Sequence, residues 1–105
     1  MWKIRGIDLS GSRPYVALVD PRAELHLEIG LADREVDVFI GSPRPEESRL
    51  HVTVDVDGIH VERAEGHSRR DCKIVDSVLE TLGQRHLQRR EALDPYWASA
   101  RDERD

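Results

Sequence analysis

The sequence contains a single cysteine, Cys72, among its 105 residues. One thiol cannot form an internal disulfide bond, so no feature of the chain requires an oxidising compartment. The sequence also lacks a signal peptide and any run of the roughly 18 apolar residues that a membrane-spanning helix needs. We therefore expect a soluble cytoplasmic protein with no membrane partner.

The short motifs that identify common enzymes are also missing. There is no glycine-rich phosphate loop, no Ser-His-Asp order and no zinc-ligand spacing. We accordingly predict no cofactor, no small-molecule substrate and no catalytic residue, which favours a non-enzymatic binding role.

Positive charge is scarce over most of the chain, and the formal net charge is −5. An acidic protein lacks the broad basic field that usually attracts nucleic acid, so such a partner would have to meet a local patch. Residues 67–90 form a net-positive region, with six basic and three acidic side chains. Its candidate RNA-binding residues are Arg69, Arg70, Lys73, Arg85, Arg89 and Arg90.

Alternation of apolar and polar residues is the clearest pattern that the sequence does contain. Every second residue from Leu50 to Val56 is aliphatic, which predicts a strand with one apolar face. Asp57-Gly58 predicts a type I′ turn, because both residues tolerate positive φ. The chain would then return as a second strand that pairs Val54 with Val61.

Two interpretations of residues 15–32 remain open. The alternation that ends in Leu25, Leu27, Ile29 and Leu31 predicts a hairpin turning near Pro21. Several of the same residues also share a face at helical period, with Ser12 as N-cap. We favour the hairpin, because Pro21 inside a helix would cost roughly 3 kcal/mol.

A C-terminal helix is predicted from Ser68 onward. Ser68 and Asp71 form an approximate capping box, and apolar residues from Ile74 to Leu93 recur at helical spacing. Gly83 weakens the middle of this helix, and Asp94-Pro95 is expected to end it.

These elements predict an α+β fold. We expect an antiparallel sheet of five or six strands, mostly a meander, with one long amphipathic C-terminal helix packed on one face. The remaining strands are Trp2–Leu9, with a bulge at Gly6, and Glu35–Ile40. Residues 1–93 would form a single domain and residues 94–105 a C-terminal tail, in which Tyr96 and Trp97 are candidate partner-interface residues.

Two further groups of residues could carry chemistry. His51, Asp55 and His60 lie on the predicted polar face of the hairpin and are candidate metal ligands for a small metal-dependent enzyme, although cross-strand charge pairing produces the same pattern. The helix dipole and nearby cations could lower the pKa of Cys72, but we favour an unreactive, partly buried thiol.

Short segments of the chain resemble a known family. They are Ile4-Arg5-Gly6 with Asp8, Val54-Asp55-Val56-Asp57-Gly58, Arg63-Ala64-Glu65, and Val75-Asp76 with Glu80 and Leu82. These segments resemble the N-terminal domain of the ribosome hibernation-promoting factors and the related ribosome-associated inhibitor. The resemblance implies a β-α-β-β-β-α domain that blocks the decoding region of the small ribosomal subunit, with the basic residues listed above facing ribosomal RNA. It requires a helix within residues 14–31.

Three functions follow as expectations. The first is a ribosome-associated translation silencer that binds small-subunit RNA. The second is a protein-interaction or assembly module, of which a homodimer is one form, with no nucleic-acid partner. The third is the metal-dependent enzyme.

Overall fold

A computed structural model describes residues 2–22, 24–32, 34–42, 44–83 and 90–101. Six strands form one antiparallel sheet in the order β1-β2-β3-β4-β5-β6, so every neighbour in sequence is a neighbour in space. The predicted α+β class and antiparallel meander are confirmed. The elements are β1 (Lys3–Asp8), β2 (Tyr15–Asp20), β3 (Leu25–Gly30), β4 (Val36–Ile40), β5 (Leu50–Asp55), β6 (Gly58–Ala64), α1 (Arg69–Leu82) and α2 (Asp94–Ser99), with 3₁₀ turns at Pro45–Glu47 and Arg90–Leu93.

The ambiguous residues 15–32 form the β2–β3 hairpin. Leu18 pairs with Leu27 and Val16 with Ile29, so the alternation predicted from the sequence places these side chains on one face of the sheet. The helix that the ribosomal resemblance requires is therefore replaced by two strands.

The β5–β6 turn differs from the prediction. Val54 pairs with Ile59 instead of Val61, and the turn residues are Val56 and Asp57, neither of which has positive φ. The Asp55 carboxylate accepts the backbone N–H groups of Asp57 at 2.8 Å and Gly58 at 3.1 Å. Asp at the first position and Gly at the fourth favour a type I turn, which does not need positive φ at its centre.

The single long helix predicted from the sequence is wrong. The α1 helix begins at the predicted Ser68–Asp71 capping box but ends at Leu82, because Gly83 adopts φ +107° and caps it. Asp94-Pro95 begins α2 instead of ending a helix. Proline fits there because the first turn of a helix needs no N–H from it.

The sequence-based boundary after Leu93 falls within continuously packed structure. Trp97 in α2 packs against the hydrophobic core, and the backbone of Arg101 forms a short bridge beside Ser68. Residues 102–105 of the expected tail lie outside the described residues.

The two faces of the sheet differ, and we call them the helix side and the open side. The helix side carries the main core, to which β3, β4, β5, β6, α1 and the Arg90–Leu93 turn contribute. Its buried residues are Leu25, Leu27, Val36, Val38, Ile40, Leu50, Val52, Val54, Ile59, Val75, Leu79 and Leu93. The open side carries polar side chains around the buried ring of Phe39.

An ion pair fixes the start of α1 on the sheet. Arg49, just before β5, donates from Nε and Nη2 to the two carboxylate oxygens of Asp71, each at 3.1 Å. Asp71 is 2% exposed and also accepts the backbone N–H of Ser68. Burial alone would raise the pKa of the Asp71 carboxyl, but Arg49 and the Ser68 N–H hold that pKa below its usual value.

Candidate interaction surface

The largest exposed apolar side chains gather on and around β1. Ile4 is 65% exposed, Ile7 is 54% exposed and Leu9, just after the strand, is 68% exposed. The structure describes every residue of β1, and none of them is buried. This strand therefore belongs to the sheet without contributing to the core.

A bulge in β1 places its two isoleucines on the same face. Ile4 pairs with Leu18 and Ile7 pairs with Val16, although the isoleucines are three positions apart, because the register shifts between Ile4 and Gly6. Leu18 and Val16 are on the helix side. We define the β1 strip as Ile4, Ile7, Val16 and Leu18, an apolar area on the helix side of β1 and β2.

The size of the helical layer explains why Ile4 and Ile7 of the β1 strip are exposed. Six strands span about 24 Å across the sheet, because neighbouring strands lie about 4.8 Å apart. A helix is only about 10 Å wide. The α1 helix contacts β4 and the Arg90–Leu93 turn contacts β6, so the described helical elements lie over the half of the sheet remote from β1.

The open side holds pairs of interacting polar residues. His51 Nε2 lies 2.9 Å from Asp37 Oδ1, and the Thr53 hydroxyl donates to the same oxygen at 2.7 Å. The ring of His51 stacks on Phe39 with centroids 4.0 Å apart. Burial alone would raise the pKa of Asp37, but the contacts with His51 and Thr53 hold it below its usual value.

The three candidate metal ligands are not brought together. His51 contacts Asp37, whereas His60 Nε2 lies 3.3 Å from Asp55. His51 and Asp55 are four residues apart on one strand, which separates them by about 13 Å. Within the described residues, no group of three or more His, Cys, Asp or Glu side chains could hold a metal ion.

Two shallow cavities lie on the open side. One of about 280 Å³ is lined by residues that include Arg5, Tyr15, His26 and Glu28, and one of about 170 Å³ shares Tyr15 and Glu28. Ligand pockets usually measure about 300–1,000 Å³ and enclose most of the ligand. Both of these cavities are smaller than this range.

The described part of the predicted RNA-binding patch is exposed. Arg69, Arg70 and Lys73 lie on the first turn and a half of α1 with their side chains in solvent. Arg85, Arg89 and the side chain of Arg90 lie outside the described residues. The structure therefore leaves the patch a prediction.

Cys72 has the opposite character from an activated thiol. It is 4% exposed, and burial, followed by the charges of Asp71 and Asp76, raises the pKa of its thiol. The lowered pKa considered from the sequence is wrong, because burial and then these two carboxylates raise it. The unreactive-thiol interpretation agrees with the burial.

The candidate interface residues Tyr96 and Trp97 are both half-buried. Trp97 packs against the core, and the Tyr96 carbonyl oxygen lies 2.8 Å from His67 Nε2. Much of this pair therefore serves to hold α2 against the rest of the chain.

The β1 strip was not among the predicted site residues. The sequence signal related to it is the phase change at Gly6, which indicates the bulge that aligns the two isoleucines.

Comparisons of the chain with family models, with curated proteins and with solved structures find no match. None of the described helices is long and apolar enough to cross a membrane.

Proposed function

We propose that this chain is a protein-interaction module that binds by strand addition. An extended segment of a partner chain joins the sheet beside β1 and places apolar side chains against the β1 strip. The observation that carries this proposal is the concentration of exposed apolar side chains on a strand that contributes nothing to the core.

The chemistry of a sheet edge defines the partner. Among the described strands, β1 has a neighbour on one side only, so its other edge can accept an added strand. Backbone hydrogen bonds would supply affinity, and apolar side chains on the helix side would supply specificity. The partner is therefore an extended polypeptide segment with aliphatic residues on one face.

A covalently attached strand tests the proposal without knowledge of a natural partner. A six-residue segment of alternating valine and threonine is fused before Trp2 through a flexible glycine-serine linker, which gives it a local concentration in the millimolar range. At about 10 µM protein we expect the melting temperature to rise by roughly 4 °C or more, since each 1 kcal/mol shifts a domain of this size by about 4–8 °C. The amide protons of β1 should also exchange more slowly.

The matched control replaces two residues of the fused strand by proline. Proline has no N–H to donate and is excluded from paired positions. Equal melting temperatures for the fusion and its proline control would show that β1 does not accept a strand, and would refute the proposal.

A second candidate function is binding to small-subunit ribosomal RNA. The exposure of Arg69, Arg70 and Lys73 on adjoining turns of α1 favours it, because these cations can reach phosphate oxygens. Co-sedimentation with ribosomes at low and moderate salt provides the test. Absence of the protein from the small-subunit fraction at low salt would exclude this function.

A further inference from the structure

The bulge in β1 makes the strand complementary to itself. In a regular strand, residues that are three apart point to opposite faces. In β1, Ile4 and Ile7 both lie on the helix side, whereas Lys3 and Asp8 both lie on the open side. The strand therefore carries an apolar pair on one face and a cation and an anion at its two ends on the other.

We propose that the strand that joins β1 is β1 of a second copy of this chain, in antiparallel orientation about a two-fold axis at the bulge. This inference rests on the proposed function and names its partner. Ile4 of each copy then faces Ile7 of the other, and Lys3 of each copy faces Asp8 of the other. The two sheets become one continuous sheet of twelve strands, with the helices of both copies on the same side.

Registers shifted by one residue fail on the positions of the side chains. A shift of one residue in either direction sets an isoleucine of one copy opposite Asp8 or Lys3 of the other, although these residues lie on different faces. The proposed register pairs apolar with apolar and cation with anion on matching faces. Cross-strand pairs of these two kinds stabilise a sheet, and like charges placed opposite each other destabilise it.

The charges of β1 are consistent with this arrangement. A lysine on an edge strand normally opposes edge-to-edge association, because it would be buried without a partner. Here the antiparallel copy supplies Asp8 to each Lys3, in addition to the backbone N–H groups of Ser10 and Gly11 that Asp8 Oδ1 already accepts at 3.1 and 3.3 Å. Arg5, the bulged residue, lines the open-side cavity with Tyr15 and Glu28, so its side chain extends over β2 and β3 and not across the edge.

The dimer is expected to be weak. One six-residue strand from each copy forms the centre of the interface. We expect the surface buried by two such strands to be less than the roughly 1,200 Å² that stable complexes require. We therefore expect monomer at low micromolar concentration and an increasing dimer fraction between about 10 µM and about 1 mM.

Sedimentation equilibrium on the intact chain tests the surface. Ile7→Asp should raise the dissociation constant by about tenfold or more, because it puts a charge opposite Ile4 of the second copy. Val56→Asp is the matched control, since Val56 is also 54% exposed but lies in the β5–β6 turn. It should leave the dissociation constant unchanged, and equal effects of both variants would overturn the assignment of the interface to β1.

Disulfide formation between differently labelled copies tests the register. A mixture of Lys3→Cys and Asp8→Cys chains should give a cross-linked dimer of one chain of each kind under mild oxidation. Either variant alone should not cross-link, because its two introduced cysteines would lie about 16 Å apart, beyond the roughly 7 Å between Cα atoms that a disulfide can span. The wild-type chain, in which Cys72 is buried, measures the background.

The possible failures separate the two proposals. A wild-type chain that stays monomeric at about 1 mM refutes self-pairing, while a stabilising fused strand would leave strand addition intact. Cross-linking of Lys3→Cys or Asp8→Cys with itself would refute the register, although an effect of Ile7→Asp would still place the interface at β1. Failure of the fused strand together with a monomeric wild type would refute both.

Discussion

Replacing Asp71 by asparagine tests whether the Arg49–Asp71 ion pair holds α1 on the sheet. Asparagine has nearly the same shape as aspartate, but it removes the charge and one of the two acceptor oxygens that Arg49 contacts. It keeps one oxygen that can accept the Ser68 N–H. The variant therefore isolates the ion pair from most of the capping interaction.

The structure sets the size of the effect. Removing one partner of a buried ion pair typically costs about 3–5 kcal/mol, because the remaining charge is left without compensation. The Arg49 side chain is 34% exposed and lies 3.8 Å from Glu24, so it would recover part of its solvation and a second partner. We therefore expect a loss of about 3 kcal/mol in the free energy of unfolding, at the low end of that range.

Urea denaturation followed by circular dichroism measures this loss. Glu65→Gln is the control, since Glu65 is exposed and its replacement removes the same charge. Adding Arg49→Met to Asp71→Asn should cost less than the sum of the two single changes, because both changes remove the same ion pair. A loss below about 1 kcal/mol for Asp71→Asn, as for an ordinary surface ion pair, would refute the assigned role.

Three further predictions concern protonation and reactivity. The pKa values of Asp71 and Asp37 are lower in the folded state than in the unfolded chain, so both carboxylates stabilise the fold above about pH 4. This stabilisation is lost as the pH falls through the folded-state pKa values. Measurement of the free energy of unfolding against pH should show the decline, and Asp71→Asn should make the decline less steep. Thr53→Val should cost about 1–2 kcal/mol and move the pKa of Asp37 upward in an NMR titration, because a hydrogen bond to the buried carboxylate is lost; an unchanged pKa would contradict this. Cys72 should react with a disulfide reagent far more slowly in the native protein than in urea, and equal rates would contradict its burial.

Local patterns predict the strands well because the alternation of side chains directly encodes the faces of a sheet. The β2–β3 hairpin follows from Leu25, Leu27 and Ile29 together with the position of Pro21. Turn type is harder to predict, since Asp57-Gly58 favours one turn and Asp55 with Gly58 favours another. The shift between the two turns leaves Val52, Val54, Ile59 and Val61 on the same face, so hydrophobic pattern cannot choose between the turns.

The end of α1 shows a different limit. Leu93 falls on the same helical stripe as Val75 and Leu79, which predicts one long helix, and it is buried in the structure. It reaches the core from a separate 3₁₀ turn, because Gly83 ends α1. Periodicity therefore identified a core residue correctly while assigning it to the wrong element.

The β1 strip could not be predicted from its own residues, because exposure depends on what covers a strand. Ile4 and Ile7 belong to an ordinary aliphatic pattern and would be core residues if a helix covered β1. Among the residues that the structure describes, α1 has 14 residues and α2 has 6, too few to cover all six strands. The helices lie over the strands nearest to them in sequence, since short connections place consecutive elements side by side. The first strand, farthest in sequence from α1, is therefore the one left exposed, and the bulge at Arg5 then aligns its two isoleucines for a second strand.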